Sequence, residues 1–283
     1  MQIFNTSSDD GTAIRVVRWF PEEANDQHRD ILLVHGLAEH ADRYPHVATA
    51  LTDAGWTVTL VEVRGHGQSG GKRGHTALWH HYIEDLQSAA SMIGRPYVLI
   101  GHSMGGLIAL SALPEPQHPR IRAVALSNPL LGVDFDPPKL KVGAAKLLSK
   151  ILPTLHLSNE LESHHLSRDP EVVTRYDADP NVYSTITPRW YTELTATQEK
   201  VLQSADKGQI PLRMMVGTGD KICDHKLSLD FAKRWGGPTD IQVYDGYYHE
   251  LFNEPEKDQV LADLRAWLEE IDQTLAENDA QTG

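Results

Sequence analysis

The stretch Tyr97-Val-Leu-Ile-Gly-His-Ser-Met-Gly-Gly106 constrains what this chain can fold into more than any other. Its opening residues, Tyr97 to Ile100, are aromatic or aliphatic, as in a buried strand, and Leu107-Ile-Ala-Leu-Ser-Ala-Leu113 continues as a helix. Between them the backbone turns sharply. Gly101 and Gly105 lack the Cβ atoms that would collide in such a turn, so Ser103 stands at its apex with its hydroxyl exposed. A Gly-x-Ser-x-Gly pattern is common by chance. The strand before it and the helix after it make this one informative.

The rest of the chain falls into register around that turn. Residues 2–6 and 11–20 read as an antiparallel hairpin with one wet face, and Asp30 to Gly36 as an inner strand covered on both sides. A helix over 43–54 stops at Gly55, and the strand 56–63 leads into the glycine-rich loop 64–71. That loop lacks the Gly-Lys-Ser/Thr ending of a nucleotide phosphate loop. A helix over 76–93 precedes the serine strand, and further strands are expected at 121–127, 211–217 and 241–244. The last helix carries Val260, Leu261, Leu264, Trp267, Leu268, Ile271 and Leu275 at helical spacing. Alternating strands and helices predict an α/β fold with a mainly parallel sheet, whose active site lies at the carboxyl ends of the strands. Residues 130–207, with Pro137, Pro138, Pro153, Pro170, Pro180 and Pro188 among short helical segments, break the rhythm and read as an inserted helical cap. The expected division is a core of 1–129 and 208–283 with a cap of 130–207.

Composition excludes several function classes. With 40% hydrophobic residues the chain is globular, and a formal charge of −13 argues against nucleic acid as a partner. The single cysteine, Cys223, leaves no internal disulfide, and no Cys/His cluster has zinc-site spacing, so neither a metal nor a cofactor is expected. No signal peptide is read at the N-terminus and no apolar run is long enough to cross a bilayer, which points to the cytoplasm. No sequence feature sets an oligomeric state.

A serine hydroxyl becomes a nucleophile only when a base takes its proton, and the base needs a partner that fixes its tautomer. Asp220 in Gly217-Thr-Gly-Asp and His249 in Gly246-Tyr-Tyr-His each follow a strand, and Ser, Asp, His is the chain order this type of fold uses. Asp224 and Asp245 read as cap or turn residues, and His102 and His225 fall outside the loop the order requires. Two backbone N–H groups must also receive the oxyanion of a tetrahedral intermediate: Met104, after the nucleophile, and Leu37, in the loop after Val34.

These motifs, with His35-Gly-Leu-Ala-Glu-His-Ala-Asp-Arg-Tyr44, Gly65-His-Gly-Gln-Ser69, Asn128-Pro-Leu-Leu131, Leu166-Ser-Arg-Asp169, Gly219-Asp-Lys-Ile-Cys-Asp224 and Tyr247-Tyr-His-Glu250, resemble the monoglyceride lipase and lysophospholipase branch of the α/β-hydrolases, grouped with serine aminopeptidases. The resemblance spans most of the chain, cap included. It implies an eight-stranded, mostly parallel sheet with helices on both faces, Ser103, Asp220 and His249 as triad, Leu37 and Met104 as oxyanion donors, and an apolar groove in the cap for an acyl chain. It also suggests Glu39 and Arg43 near the alcohol end of the substrate, against the plainer reading of an ion pair at a helix start. Two positions depart from it: Glu62 replaces an aspartate, and Phe252 stands where a second histidine is usual.

The expected reaction is hydrolysis of a single-chain lipid ester, monoacylglycerol first, through an acyl-enzyme. Lysophospholipase or short-chain carboxylesterase activity is the alternative. A serine aminopeptidase, with amine-binding carboxylates among Glu160, Glu162, Glu171 and Glu193, and a non-catalytic ligand-binding protein rank lower. In the cap, Lys139, Lys146 and Lys150 share a helical face opposite Ala144, Leu148, Ile151 and Leu152, with no acidic residue between Pro137 and Leu157. Such a helix either packs its apolar face inward or rests transiently on a membrane or micelle surface.

Overall fold

The computed structural model describes residues 1–22, 29–113, 120–134 and 139–282. The elements run β1 (Gln2–Ser7), β2 (Ala13–Trp19), β3 (Asp30–Val34), α1 (Pro45–Thr52), β4 (Thr57–Glu62), α2 (His80–Ile93), β5 (Tyr97–His102), α3 (Met104–Ala112) and β6 (Ile121–Ser127). Then follow α4 (Lys139–Ile151), β7 (Leu157–Ser158), α5 (Pro170–Ala178), β8 (Thr185–Ile186), α6 (Pro188–Leu202), β9 (Leu212–Gly217), α7 (His225–Lys233), β10 (Thr239–Tyr244) and α8 (Lys257–Thr282). Eight strands form one sheet in the order β1-β2-β4-β3-β5-β6-β9-β10. Only β2 runs antiparallel to its neighbours β1 and β4; the remaining pairings are parallel, as expected.

The continuous apolar runs explain why the central strands are covered on both faces. One face packs Leu32, Val34 and Leu99 against α2, α3, α6 and α7, and the other packs Ile31, Leu33, Val98 and Ile100 against α1 and α8. The stripe of α8 is buried as its spacing requires, from Val260 to Ile271; the Leu275 side chain lies outside the described residues. Boundaries moved where local chemistry intervened. Pro45 starts α1, with a separate 3-10 turn over Ala41–Arg43 in front of it, because proline suits the first helical position, where its missing N–H costs nothing. The serine strand extends to His102, and α3 begins immediately after Ser103.

Glu62 is fully buried. Its carboxylate accepts from Arg15 Nη1 at 2.7 Å, the Ala41 N–H at 2.9 Å and the Gln68 N–H at 2.7 Å, so it clamps two loops at the carboxyl edge of the sheet. A Cβ on Gly67, at φ +49°, would lie 2.3 Å from that carboxylate, so the longer acid fits only beside glycine.

Pro137 and Pro138 lie outside the described residues. The segment between β6 and β9 touches the loops that follow several parallel strands. Asp179 accepts from His40 at 2.8 Å, Tyr183 reaches His66 at 2.6 Å, the Thr187 N–H donates to Gly74 O at 2.9 Å, and Gln198 donates to Leu130 O at 3.0 Å. Within it α6 faces the sheet through Trp190, Leu194 and Val201, and α4 rests on α6 through Ser149 and Thr192, 2.9 Å apart. The apolar side of α4 is not packed inward. Leu147 (58% exposed) and Ile151 (63%) share the outer surface with Lys146 and Lys150, while Ser149 is buried. Lys139 is not among the described side chains. Among the described residues no helix is long and apolar enough to cross a membrane.

The N-terminal hairpin is held to the core by Arg64. Its guanidinium donates to Asp85 at 2.7 Å, Asp10 at 2.7 Å and Ser8 at 2.8 Å, and Asp85 is fully buried. Asp85→Ala leaves that guanidinium without its buried partner and is expected to cost about 3–5 kcal/mol in denaturant unfolding.

Candidate active site

Ser103 occupies φ 52°, ψ −118°, a strained conformation for a residue with a side chain. The close packing around it shows how the strain is held. A Cβ on Gly101 would lie 2.5 Å from Gly105 O, and one on Gly105 would lie 2.2 Å from Val34 O. Strand β3 and helix α3 thus meet backbone to backbone. The Ser103 N–H donates to Ser127 O at 3.0 Å and its carbonyl accepts from the Leu130 N–H at 2.9 Å, anchoring the turn to the end of β6.

His249 and Asp220 are both buried and joined, with Nδ1 2.8 Å from Asp220 Oδ2. The carboxylate can only accept, so Nδ1 carries a proton, and in the neutral ring Nε2 is left as the acceptor. Asp220 Oδ1 accepts from the Ile222 N–H at 2.7 Å and the Cys223 N–H at 3.0 Å. Burial alone would raise the Asp220 carboxyl, but His249 and these N–H donors outweigh it and hold it below the usual range. Burial works against charge on His249, and Asp220 reverses this, raising the imidazole well above its usual value. Asp224 instead caps α7, accepting from the Lys226 and Leu227 N–H groups, and Asp245 accepts from Thr218.

The ring of His102 lies 4.8 Å from that of His249, tilted by 51°. Burial lowers His102 to about 4, so it stays neutral and does not repel an imidazolium beside it. Cys223 is also buried, and its thiol faces both His249 and Ser103. Desolvation pushes that thiol up, making it a poor nucleophile at neutral pH.

The loop after β3 lies against the serine. A Cβ on Gly36 would be 3.2 Å from Ser103 Cβ, and the following Ala38 sits at φ +61°. Among the described residues, no acceptor takes the N–H of Leu37 or of Met104. Glu39 and Arg43 have partners other than the alcohol end of a substrate. Glu39 is buried and accepts from the Gly36 N–H at 2.9 Å and the Tyr44 hydroxyl at 2.7 Å. Arg43 pairs with Glu39 Oε1 at 3.0 Å, donates to Glu250 at 2.7 Å and lies 4.7 Å over the Tyr176 ring. They hold the loop from the side away from solvent. Phe252 is buried too, with its carbonyl 2.7 Å from His46 Nε2.

Sequence reasoning gave no role to Asn128 and Glu250. Asn128, at φ +40°, donates to His249 O at 2.8 Å and accepts from the Gly217 N–H at 2.9 Å, so one amide holds the histidine and acid loops together. Its only signal was a polar residue before proline at a strand end. Glu250 shares one guanidinium with Glu39. Burial pushes Glu250 up to about 7, against the pull of Arg43 and with the added repulsion of Glu39, whose own carboxyl, despite burial, is held low chiefly by Arg43.

A family model described as "Serine aminopeptidase, S33" matches residues 25–256. A monoacylglycerol lipase of Mycolicibacterium smegmatis is 34% identical over 258 residues, covering 88% of this chain and 90% of that protein. Phospholipase YtpA of Bacillus subtilis is 29% identical over 247 residues, covering 85% and 95%. The crystal structure of a Paleococcus ferrophilus monoacylglycerol lipase superposes with a TM-score of 0.82 at 30% identity, covering 96% of this chain and all (100%) of that one. The sheet described above is accordingly an α/β-hydrolase sheet.

A carboxyl whose folded pKa exceeds its unfolded one takes up a proton on folding, so Glu250 makes stability fall as pH rises from 4.5 to about 7. Glu39 acts oppositely, its contribution being lost as pH drops below 4.5. Glu250→Gln is expected to flatten the loss between pH 4.5 and 7, worth on the order of 1–3 kcal/mol, in thermal unfolding scanned across pH.

Proposed function

We propose, from the premise that this chain belongs to the serine aminopeptidase S33 family of α/β-hydrolases, that it is a serine ester hydrolase cleaving monoacylglycerol to fatty acid and glycerol. The observation that carries this reading is the buried hydrogen bond between His249 Nδ1 and Asp220, which leaves Nε2 free to serve as the base for Ser103. Ser103 Oγ attacks the ester carbonyl and gives its proton to His249. The N–H groups of Leu37 and Met104 receive the oxyanion. The glycerol oxygen leaves with the proton from His249, and water, activated by the same base, frees the fatty acid and restores the serine.

Glu39 and Arg43 act on the substrate through the loop they hold: the Glu39 carboxylate fixes Gly36, and with it the N–H of the next residue. A fixed donor is worth more to a developing charge than a mobile one, because no reorganisation is needed when the charge forms. Residues 130–207 serve as a cap over the carboxyl edge of the sheet, and an acyl chain lies beneath it. The outer surface of that cap, with Leu147, Ile151, Leu152, Leu155 and Leu157 exposed beside Lys146 and Lys150, suits transient contact with a lipid surface.

Lysophospholipid is the second reading, favoured by the likeness to a phospholipase. Amine recognition has less support. Glu193 accepts from the Trp79 N–H at 3.0 Å, and Glu171 pairs with Arg175 on the surface.

Fatty-acid release from monoacylglycerol is expected to exceed release from a lysophosphatidylcholine of matched chain length, and to fall about 10⁵–10⁶-fold in Ser103→Ala. Cleavage of proline-naphthylamide without ester hydrolysis would overturn the esterase assignment. For the cap, Leu147→Glu with Ile151→Glu is expected to abolish co-sedimentation with anionic phospholipid vesicles while leaving hydrolysis of a soluble p-nitrophenyl ester unchanged.

A further inference from the structure

Beside the catalytic loop lies a second group of chemically able side chains, unused by the reaction above. Glu162, His164 and His165 bring a carboxylate oxygen and two imidazole nitrogens within 4.8 Å of one another. Glu162 Oε2 lies 3.3 Å from His164 Nε2 and 3.9 Å from His165 Nδ1, and the two rings lie with centroids 4.2 Å apart, tilted by 53°. Around a tetrahedral zinc ion with bonds of about 2.0–2.1 Å, donors stand about 3.3 Å from one another. The Glu162–His164 separation already matches that figure, and the Glu162–His165 separation of 3.9 Å needs a small side-chain adjustment to reach it.

The backbone explains the convergence. A 3-10 turn spans Ser163–His165, with His165 N–H donating to Glu162 O at 3.0 Å and Leu166 N–H to Ser163 O at 3.0 Å. Side chains three apart eclipse in such a turn, which brings Glu162 and His165 together, and His164 folds its ring against its neighbour. Glu162 and His164 are about two-thirds exposed (63% and 66%), leaving room for a water ligand. Two imidazoles with one carboxylate suit zinc and its neighbours in the first transition row, whereas magnesium and calcium prefer all-oxygen shells.

We propose that Glu162, His164 and His165 form a surface site for a divalent transition-metal ion of the zinc type, mechanically tied to the loop that carries His249. The tie is visible in the backbone. The His249 N–H donates to His165 O at 3.5 Å, and the Glu250 N–H to Leu166 O at 2.8 Å. Ser167 Oγ donates to Asn253 O at 2.8 Å, and Arg168 pairs with the buried Glu254. An ion that closes the turn at 162–165 therefore stiffens the acceptors that position the catalytic loop. The site itself is independent of the reaction assigned above; its effect on turnover rests on His249 being the base.

Another trio with metal-binding chemistry, Asp220, Cys223 and His249, belongs to the buried site already described and must be distinguished from the surface one. Calorimetric titration with Zn²⁺ is expected to show one ion bound by the wild type and by Cys223→Ser, none by His164→Ala or Glu162→Gln, and no heat with Mg²⁺. Hydrogen exchange of the His249 and Glu250 amides is expected to slow several-fold with Zn²⁺ in the wild type and not in His164→Ala. Binding that survives His164→Ala, or that is lost in Cys223→Ser, overturns the surface site. Unchanged amide exchange with the ion bound overturns the tie to the loop. Fluorophosphonate labelling of Ser103 without metal tests the hydrolase reading separately.

Discussion

Backbone contact between β3 and α3 is the constraint on which the rest depends. Glycines at 101 and 105 let the Ser103 turn close to within van der Waals distance of the Val34 and His35 carbonyls, and no side chain larger than hydrogen fits there. That contact holds a serine at positive φ, which an unrestrained chain would relax. It also brings the Gly36-Leu37 loop beside Ser103, so the strained turn and the loop after β3 are one packed unit.

Around this unit the site is stiffened by buried polar groups with several bonds each. Glu39 secures the loop after β3, Glu62 the loops at the edge of β4, Asn128 the loops after β9 and β10, and Arg64 the N-terminal hairpin. Each sits at low dielectric, where a satisfied group is directional and an unsatisfied one is expensive. Two carboxylates, Glu39 and Glu250, share the one guanidinium of Arg43, so one is held ionised while the other is pushed toward protonation. This arrangement makes the stability of the loop region depend on pH between 4.5 and about 7.

Much of the fold was legible from local pattern. The apolar runs at 30–34, 97–102 and 121–127 became central strands because only a sheet covered on both faces buries so continuous a run. Ser103, Asp220 and His249 could be picked out because each follows a strand in a fixed chain order, and the last two do meet at 2.8 Å. The sequence left open which side of α4 faces inward, because helical spacing tells which residues share a face, not which face the neighbour takes; in the structure Ser149, bonded to Thr192, is buried and Leu147 and Ile151 are exposed. Asn128 and Glu250 escaped notice since their partners are 121 and 207 positions away in sequence.

By itself the sequence determined the order of strands and helices, the strained serine turn and the candidates for acyl transfer, because these follow from local sterics, periodicity and chain order. Tertiary structure alone decided which carboxylates share a cation, which loops the segment between β6 and β9 touches, and that Glu162, His164 and His165 converge beside the loop that carries His249. The physical reason is that periodicity is a property of neighbours along the chain, whereas pairing and burial of charge depend on groups that only folding makes neighbours.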